Sequence, residues 1–310
     1  MYMFDKFLIL KIDFDYLDKI GTDNFHVNSV SDLMSPKNNS IIFINKWDDG
    51  YIAKLELLNQ CLIITPKINV QKLDIIKNSN LILLSTNPRL EYAIVLNDIL
   101  DQTSKADSYT NKDSYIIGNN VTIGNNSKIY PQAFIDHNVT IGNNCTIYPG
   151  ARIRKNVTIG DYSIIRENSV IGSQGFGVEK KQNNENIKIP HLGGVVIGEH
   201  VEIGALTTIV SGTINPTIIE DYVKIDDHVH LAHNCIVKKN CIITACSEIS
   251  GSVIINSNSW LGPNCSIMQK VTLGENSIVG LGAVVTKSFE SDSVLIGNPA
   301  ITMQDYKKNK

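Results

Sequence analysis

No apolar run in this sequence approaches the roughly 20 residues that cross a bilayer, and residues 1–10 lack a basic start and a small-residue cleavage site. Those two absences predict a cytoplasmic chain with no membrane span. Charge of one sign is not in excess either. The 28 Lys and Arg nearly balance 31 Asp and Glu, so no general field draws the chain to nucleic acid or to an anionic membrane. Its partners are expected to be neutral or locally recognised. The six cysteines (Cys61, Cys145, Cys235, Cys241, Cys246 and Cys265) include no pair at metal-knuckle spacing. No metal, disulfide or permanently bound cofactor is expected.

What the chain does have is a clock. Isoleucine recurs at every sixth residue from Ile117 to Ile171, ten times in succession. The phase breaks over a polar stretch from Val178 to Pro190, resumes at Ile197, Ile203 and Ile209, and breaks again near Asn215 and Pro216. It then runs from Ile219 to Val285. Four residues after each aliphatic position the side chain is small or short, as at Ser127, Ala133, Cys145, Ala151, Cys235, Cys241 and Cys265. If each hexad forms one short strand and one corner, three hexads close a triangular coil whose narrow interior takes an aliphatic on each side. Gly, Asn and Asp between them suit corners that need left-handed backbone. Successive coils stack at about 4.8 Å, the spacing of paired strands. Four of the cysteines fall on the small interior position, which makes them buried reduced thiols rather than ligands or nucleophiles.

The pattern divides the chain into residues 1–100, a small α/β domain; 101–113, a polar linker; 114–290, the mainly β coil domain; and 291–310, a short tail. The first part shows short apolar runs, Phe7 to Ile12, Ser40 to Ile44, Cys61 to Ile64 and Leu81 to Leu84, around a helix-like stretch from Asn87 to Leu100. The insertion at 178–190 is predicted to be an exposed loop, either a solvated excursion or one able to reach a neighbouring chain.

A hexad coil of this kind resembles the left-handed parallel β-helix of hexapeptide-repeat acyltransferases, which implies a homotrimer with sites between subunits. Successive segments narrow the resemblance: Ile171 to Gly177, Ile189 to Gly193, Val201 to Ala205, Thr207 to Ile209, Ile225 to Asp227 and Leu231 to Asn234. These look like the motifs of the UDP-3-O-(3-hydroxyacyl)glucosamine N-acyltransferase family of lipid A biosynthesis. Ser40 to Trp47 and Asn87-Pro88, with Tyr92 nearby, resemble that family's uridine-binding domain. The resemblance implies that Phe43, Asn45, Trp47, Asn87 and Asn234 bind substrate. It also implies that His233 is catalytic, that Asp226 orients it, and that Gly251 holds the oxyanion. Independently of any family, His233 lies two residues past the core position Leu231 and should point outward. An imidazole there can take the ammonium proton as an amine attacks a thioester. Gly251 lies one coil further on, so stacking puts its backbone N–H roughly 5 Å along the axis from the histidine. Asp226 and Gly251 also suit corners simply as turn residues, and His228 and His230 read as surface histidines.

The chain departs from that family where Thr208-Ile-Val-Ser-Gly replaces Thr-Ile-Asp-Arg-Gly, and where no second histidine stands near Gln269 and Lys270. Ile296-Gly-Asn-Pro-Ala, a sequence like that of sugar acetyltransferases using coenzyme A, takes the place of a helical extension. These departures favour a relative that N-acylates a nucleotide-linked amino sugar for surface polysaccharide, with acyl-CoA or an acyl carrier protein as donor. The lipid A N-acyltransferase itself is the alternative. A third reading, a zinc carbonic anhydrase-like protein, would use His228 with His233 as ligands of a shared metal. Lys238 and Lys239 form a basic corner that either meets phosphates or is merely solvated.

Overall fold

Aliphatic residues six apart can all face one narrow interior only if the chain turns after every hexad, and the computed structural model shows that turn repeated along most of the chain. The structure describes residues 3–8, 17–21, 27–67, 73, 76, 79–103, 108–112 and 114–308. From residue 114 onward the chain is a left-handed β-helix. Its two- to four-residue strands stack into three parallel sheets, one for each side of a triangular coil. The register joins like to like: Ile135 pairs with Ile117 and Ile153, and Leu231 with Ile209 and Ile249. These aliphatics and the small residues that follow them form one continuous buried column, including Cys145, Cys235, Cys241 and Cys265. Burial pushes the thiol pKa up to about 12 at Cys235 and about 11 at Cys241, so these thiols behave as small apolar groups.

The corners explain the asparagines. Asn120, Asn126, Asn138 and Asn144 adopt φ near 55–60°, a region that asparagine tolerates better than most residues. Stacked corners also let their amides bond along the axis: Asn120 Nδ2 donates to Asn138 Oδ1 (3.1 Å), and Asn138 Nδ2 to Asn156 Oδ1 (3.4 Å).

The two interruptions can be measured from the register. Most paired strands are 18 residues apart, as His230 and Glu248 are. Ile159 pairs with Ile197, an offset of 38 that accommodates 20 extra residues. Ile203 pairs with Ile225, an offset of 22 that accommodates four.

Contact density separates the chain into two units: residues 107–175 with 193–310, and residues 1–106 with 176–192. The first insertion therefore packs with the N-terminal unit. That unit holds a six-stranded sheet in the order β1-β3-β4-β5-β6-β2. The strands are β1 (Met3–Leu8), β2 (Asp18–Gly21), β3 (Val27–Val30), β4 (Ser40–Phe43), β5 (Leu62–Pro66) and β6 (Leu81–Ser85). β3 to β6 run parallel, and β1 and β2 add antiparallel edges. Among the described residues the unit also holds the helices α1 (Ile52–Leu55) and α2 (Pro88–Thr103).

The insertion carries mostly exposed side chains and has regular structure. Val178–Lys180 and Asn186–Lys188 form an antiparallel hairpin. Asn97 Nδ2 of α2 donates to the carbonyl of Lys188 (2.8 Å), and Arg89 pairs with Glu179 at 2.9 Å. An apolar-poor stretch thus finds its partners through polar bonds to a helix, which hydrophobic spacing does not reveal. The other boundaries shift slightly. α2 reaches Thr103, past the expected end at residue 100. The tail continues the solenoid, since Val294–Ile296 pairs with Ile278–Val279 and then with Ile301–Thr302 before the last helix, α3 (Met303–Lys308). Of the expected linker, residues 104–107 and 113 lie outside the described residues, as does the apolar run Phe7 to Ile12 beyond Leu8. Among the described residues no helix is long and apolar enough to cross a membrane.

Candidate active site

Leu231 is fully buried in the solenoid interior, so the corner that follows must turn outward, and it carries Ala232, His233 and Asn234. Asn234 takes the left-handed conformation of the turn (φ 60°). Its amide does not extend the axial asparagine ladder. Oδ1 accepts from Thr213 N (3.1 Å) and Thr213 Oγ1 (2.9 Å), Nδ2 donates to the carbonyl of Asn215 (3.0 Å), and the backbone N–H donates to Thr217 Oγ1 (2.9 Å). Those partners fix which amide atom is oxygen. His233 Nδ1 lies 3.1 Å from the same Oδ1. An amide oxygen can only accept, so the neutral imidazole carries its proton on Nδ1 and presents a lone pair at Nε2.

Nε2 faces the next coil. A Cβ placed on Gly251 would stand 2.7 Å from His233 Nε2 and 2.8 Å from Cε1, so only glycine lets the imidazole lie against the backbone there. Among the described residues the Gly251 N–H donates no hydrogen bond, unlike that of Asn119, which donates to His137 Nδ1, and that of Ala205, which donates to Asp227 Oδ1. The corner therefore puts a basic nitrogen, an open backbone donor and half-exposed surface side by side. A base and an oxyanion donor in contact are the two parts that acyl transfer requires.

The remaining expected site residues are distributed differently. Asp226 does not orient His233 within the chain. It begins the previous corner, with the strand His230–Leu231 between the two, and its Oδ1 accepts from Asp227 N (2.8 Å). His233 Nδ1 already has its partner in Asn234. Asn234 in turn spends its oxygen on Thr213 and the histidine, which makes it an orienting group instead of the expected substrate ligand. His228 occupies the same corner as Asp226, away from His233. Among the described residues no group of three His, Cys, Asp or Glu side chains could hold a metal ion. Lys238 and Lys239 are committed to Glu220 (2.7 Å) and Asp221 (3.0 Å).

In the N-terminal unit, Phe43 is half-buried and stacks on Tyr92, with centroids 4.5 Å apart. Trp47 meets Tyr51 edge to face at 6.5 Å and donates from Nε1 to Asp49 Oδ1 (2.9 Å). Among the described residues no ring contact joins Phe43 and Trp47. Asn45 is exposed. Asn87 caps α2: its Oδ1 accepts from Leu90 N (3.2 Å), one step before Pro88 starts the helix. That role accounts for the Asn-Pro pair without a ligand.

Residue spacing alone misses Thr213, Asn215 and Thr217, which hold Asn234. The signal present in the sequence is the four-residue break in the clock directly before the coil that carries His233.

Fold and corner together define a hexapeptide-repeat β-helix with a base and an open amide on one edge. The family model for the bacterial transferase hexapeptide (six repeats) matches residues 114–147, 138–173, 216–251 and 252–287. The chain is similar to the UDP-3-O-acylglucosamine N-acyltransferase of Campylobacter lari, at 38% identity over 139 residues, 45% of this chain and 44% of that protein. It is also similar to the enzyme of that name from Methylococcus capsulatus, at 33% identity over 146 residues, 47% of this chain and 41% of the relative. The matches thus span less than half the length of these relatives. Among solved structures, a UDP-N-acetylglucosamine acyltransferase from Campylobacter jejuni superposes with a TM-score of 0.56 at 27% identity, over 62% of this chain and 73% of that one.

Proposed function

We propose that the protein is an N-acyltransferase that moves an acyl group from a thioester to the amine of a UDP-linked amino sugar, working in the cytoplasm as a homotrimer. The observation that carries this reading is the contact between His233 Nε2 and Gly251. In it, Nε2 takes the proton as the amine attacks the thioester carbonyl, and the Gly251 N–H receives the developing oxyanion. Collapse of the tetrahedral intermediate expels the thiolate and leaves the amide. The names of the curated relatives support the lipid A version, with a UDP-3-O-acylglucosamine acceptor, over the surface-polysaccharide variant that the departures in sequence favour. Acyl-CoA and acyl carrier protein both meet the chemical requirement for a donor. Asp226, on another corner of the coil, has a part in this reading only if a second copy brings it to the site. In the N-terminal unit, Phe43 and Asn45 offer ring and amide surface to a nucleobase.

The experiment is incubation of the purified protein with UDP-3-O-acylglucosamine and a panel of UDP- and dTDP-linked amino sugars, each with both donor types, following thiol release. Acylation of UDP-3-O-acylglucosamine is expected, with His233→Ala reducing the rate by roughly 10²–10⁴-fold. Transfer only to an amino sugar lacking the 3-O-acyl chain would restore the surface-polysaccharide reading. Full activity in His233→Ala would remove the histidine from the chemistry.

A further inference from the structure

The break in the clock at Ser211 to Pro216 has a purpose that repeat geometry does not supply. On the same edge of the solenoid, Asn120 and Asn138 each pass an amide proton to the asparagine one coil on. Asn234 stands on that edge too, yet its amide is turned to the interrupting loop. Thr213 places two donors on Oδ1, the Asn215 carbonyl accepts from Nδ2, and Thr217 Oγ1 accepts the backbone N–H while donating to the carbonyl of Val210 (2.7 Å). Thr217 is fully buried. Four extra residues therefore hold one carboxamide, and that carboxamide's oxygen faces His233 Nδ1.

We infer that the loop Ser211 to Pro216 sets the tautomer of His233. By locking Asn234 with its oxygen toward the ring, it keeps the imidazole proton on Nδ1 and the lone pair on Nε2, so Thr213 and Asn234 are positioning residues. A side chain locked by supporting bonds holds its neighbour's reactive geometry more tightly than a solvated corner can. The inference rests on the proposed acyl transfer for its consequence, though its physical content, the location of one proton, can be read without turnover.

The test is magic-angle-spinning ¹⁵N spectroscopy of the full chain with labelled histidine rings, at alkaline pH where imidazoles are neutral. The His233 signals are identified by subtraction of the His233→Gln spectrum. The expected result is a protonated Nδ1 in the unmodified protein and a mixture of tautomers in Asn234→Ala and Thr213→Val, with Thr213→Ser restoring the original signal. Thr213→Val should lower kcat about tenfold with KM unchanged, as expected for slightly misplaced reacting groups. A protonated Nε2 in the unmodified protein would overturn the inference, and so would Thr213→Val with ring signals and kcat both unmoved. Expected ring signals with no acyl transfer from any donor would remove the proposed reaction and leave the tautomer assignment standing.

Discussion

His137 and His233 occupy the same station on the solenoid, two residues past a buried aliphatic on the same sheet, and the structure gives them opposite chemistry. At the lower corner, His137 Nδ1 accepts from Asn119 N (2.8 Å), so the neutral ring carries its proton on Nε2. That nitrogen lies 3.8 Å from Asp136 Oδ1. Asp136 is fully buried, accepts from His137 N (2.9 Å) and Tyr109 Oη (3.2 Å), and faces Arg154 at 3.6 Å. One coil above His137 stands Lys155; one coil above His233 stands Gly251. The first histidine is 9% exposed and sits in a polar network, while the second is half-exposed and lies against bare backbone. A histidine's position in a repeat therefore says little about its role. The residue one coil above it and the partner of Nδ1 say most.

The largest effect expected from this comparison is at Gly251. In Gly251→Ala the new Cβ, 2.7 Å from His233 Nε2, must push the ring away from the groove while leaving the interior aliphatics untouched. The rate should fall roughly 10²-fold, with the melting temperature hardly changed. Steady-state kinetics beside a thermal melt checks this, and a variant of normal rate would mean that the contact is incidental.

The corresponding change at the lower corner should have the opposite signature. Asp136→Ala removes the acceptor of the His137 N–H and of Tyr109 Oη, and leaves a buried donor unpaired. The expected cost is about 2 kcal/mol of stability, measured by denaturant unfolding, with kcat unchanged. A loss of activity without a loss of stability would show that the lower corner belongs to the site.

Much of the architecture was legible because the interior of a triangular coil accepts one aliphatic per side, so Ile117 to Val285 betray both strand positions and corners. The site was only half legible. His233 and Gly251 lie a whole coil apart, and a constant repeat length converts that sequence offset into contact. Asp226 enters as the orienting group of His233 only through the resemblance, and within the chain one strand intervenes and sends the two to different corners. Thr213 was invisible because it lies in the break, where the repeat assigns no direction to a side chain, and Thr217 because the repeat gives it only an interior position at the start of the strand that ends at Ile219. In the N-terminal unit no repeat exists to relate residues across space, so the ring partner of Phe43 could not be read, and Asn87 looked like a ligand when its oxygen completes a helix.

The smallest effect isolates the two rings themselves. His137→Gln keeps a polar group of similar reach beside Asp136 and retains the backbone N–H that the carboxylate accepts, so the cost should stay below about 1 kcal/mol. Acyl transfer should proceed at the unmodified rate. Glutamine at 233 keeps a comparable bond to Asn234 yet cannot take the amine's proton, and the rate should collapse. The same substitution at two equivalent stations thus separates what the solenoid needs from what the reaction needs. Equal losses of rate at both positions would mean that the corners act together, and the division drawn between them would be wrong.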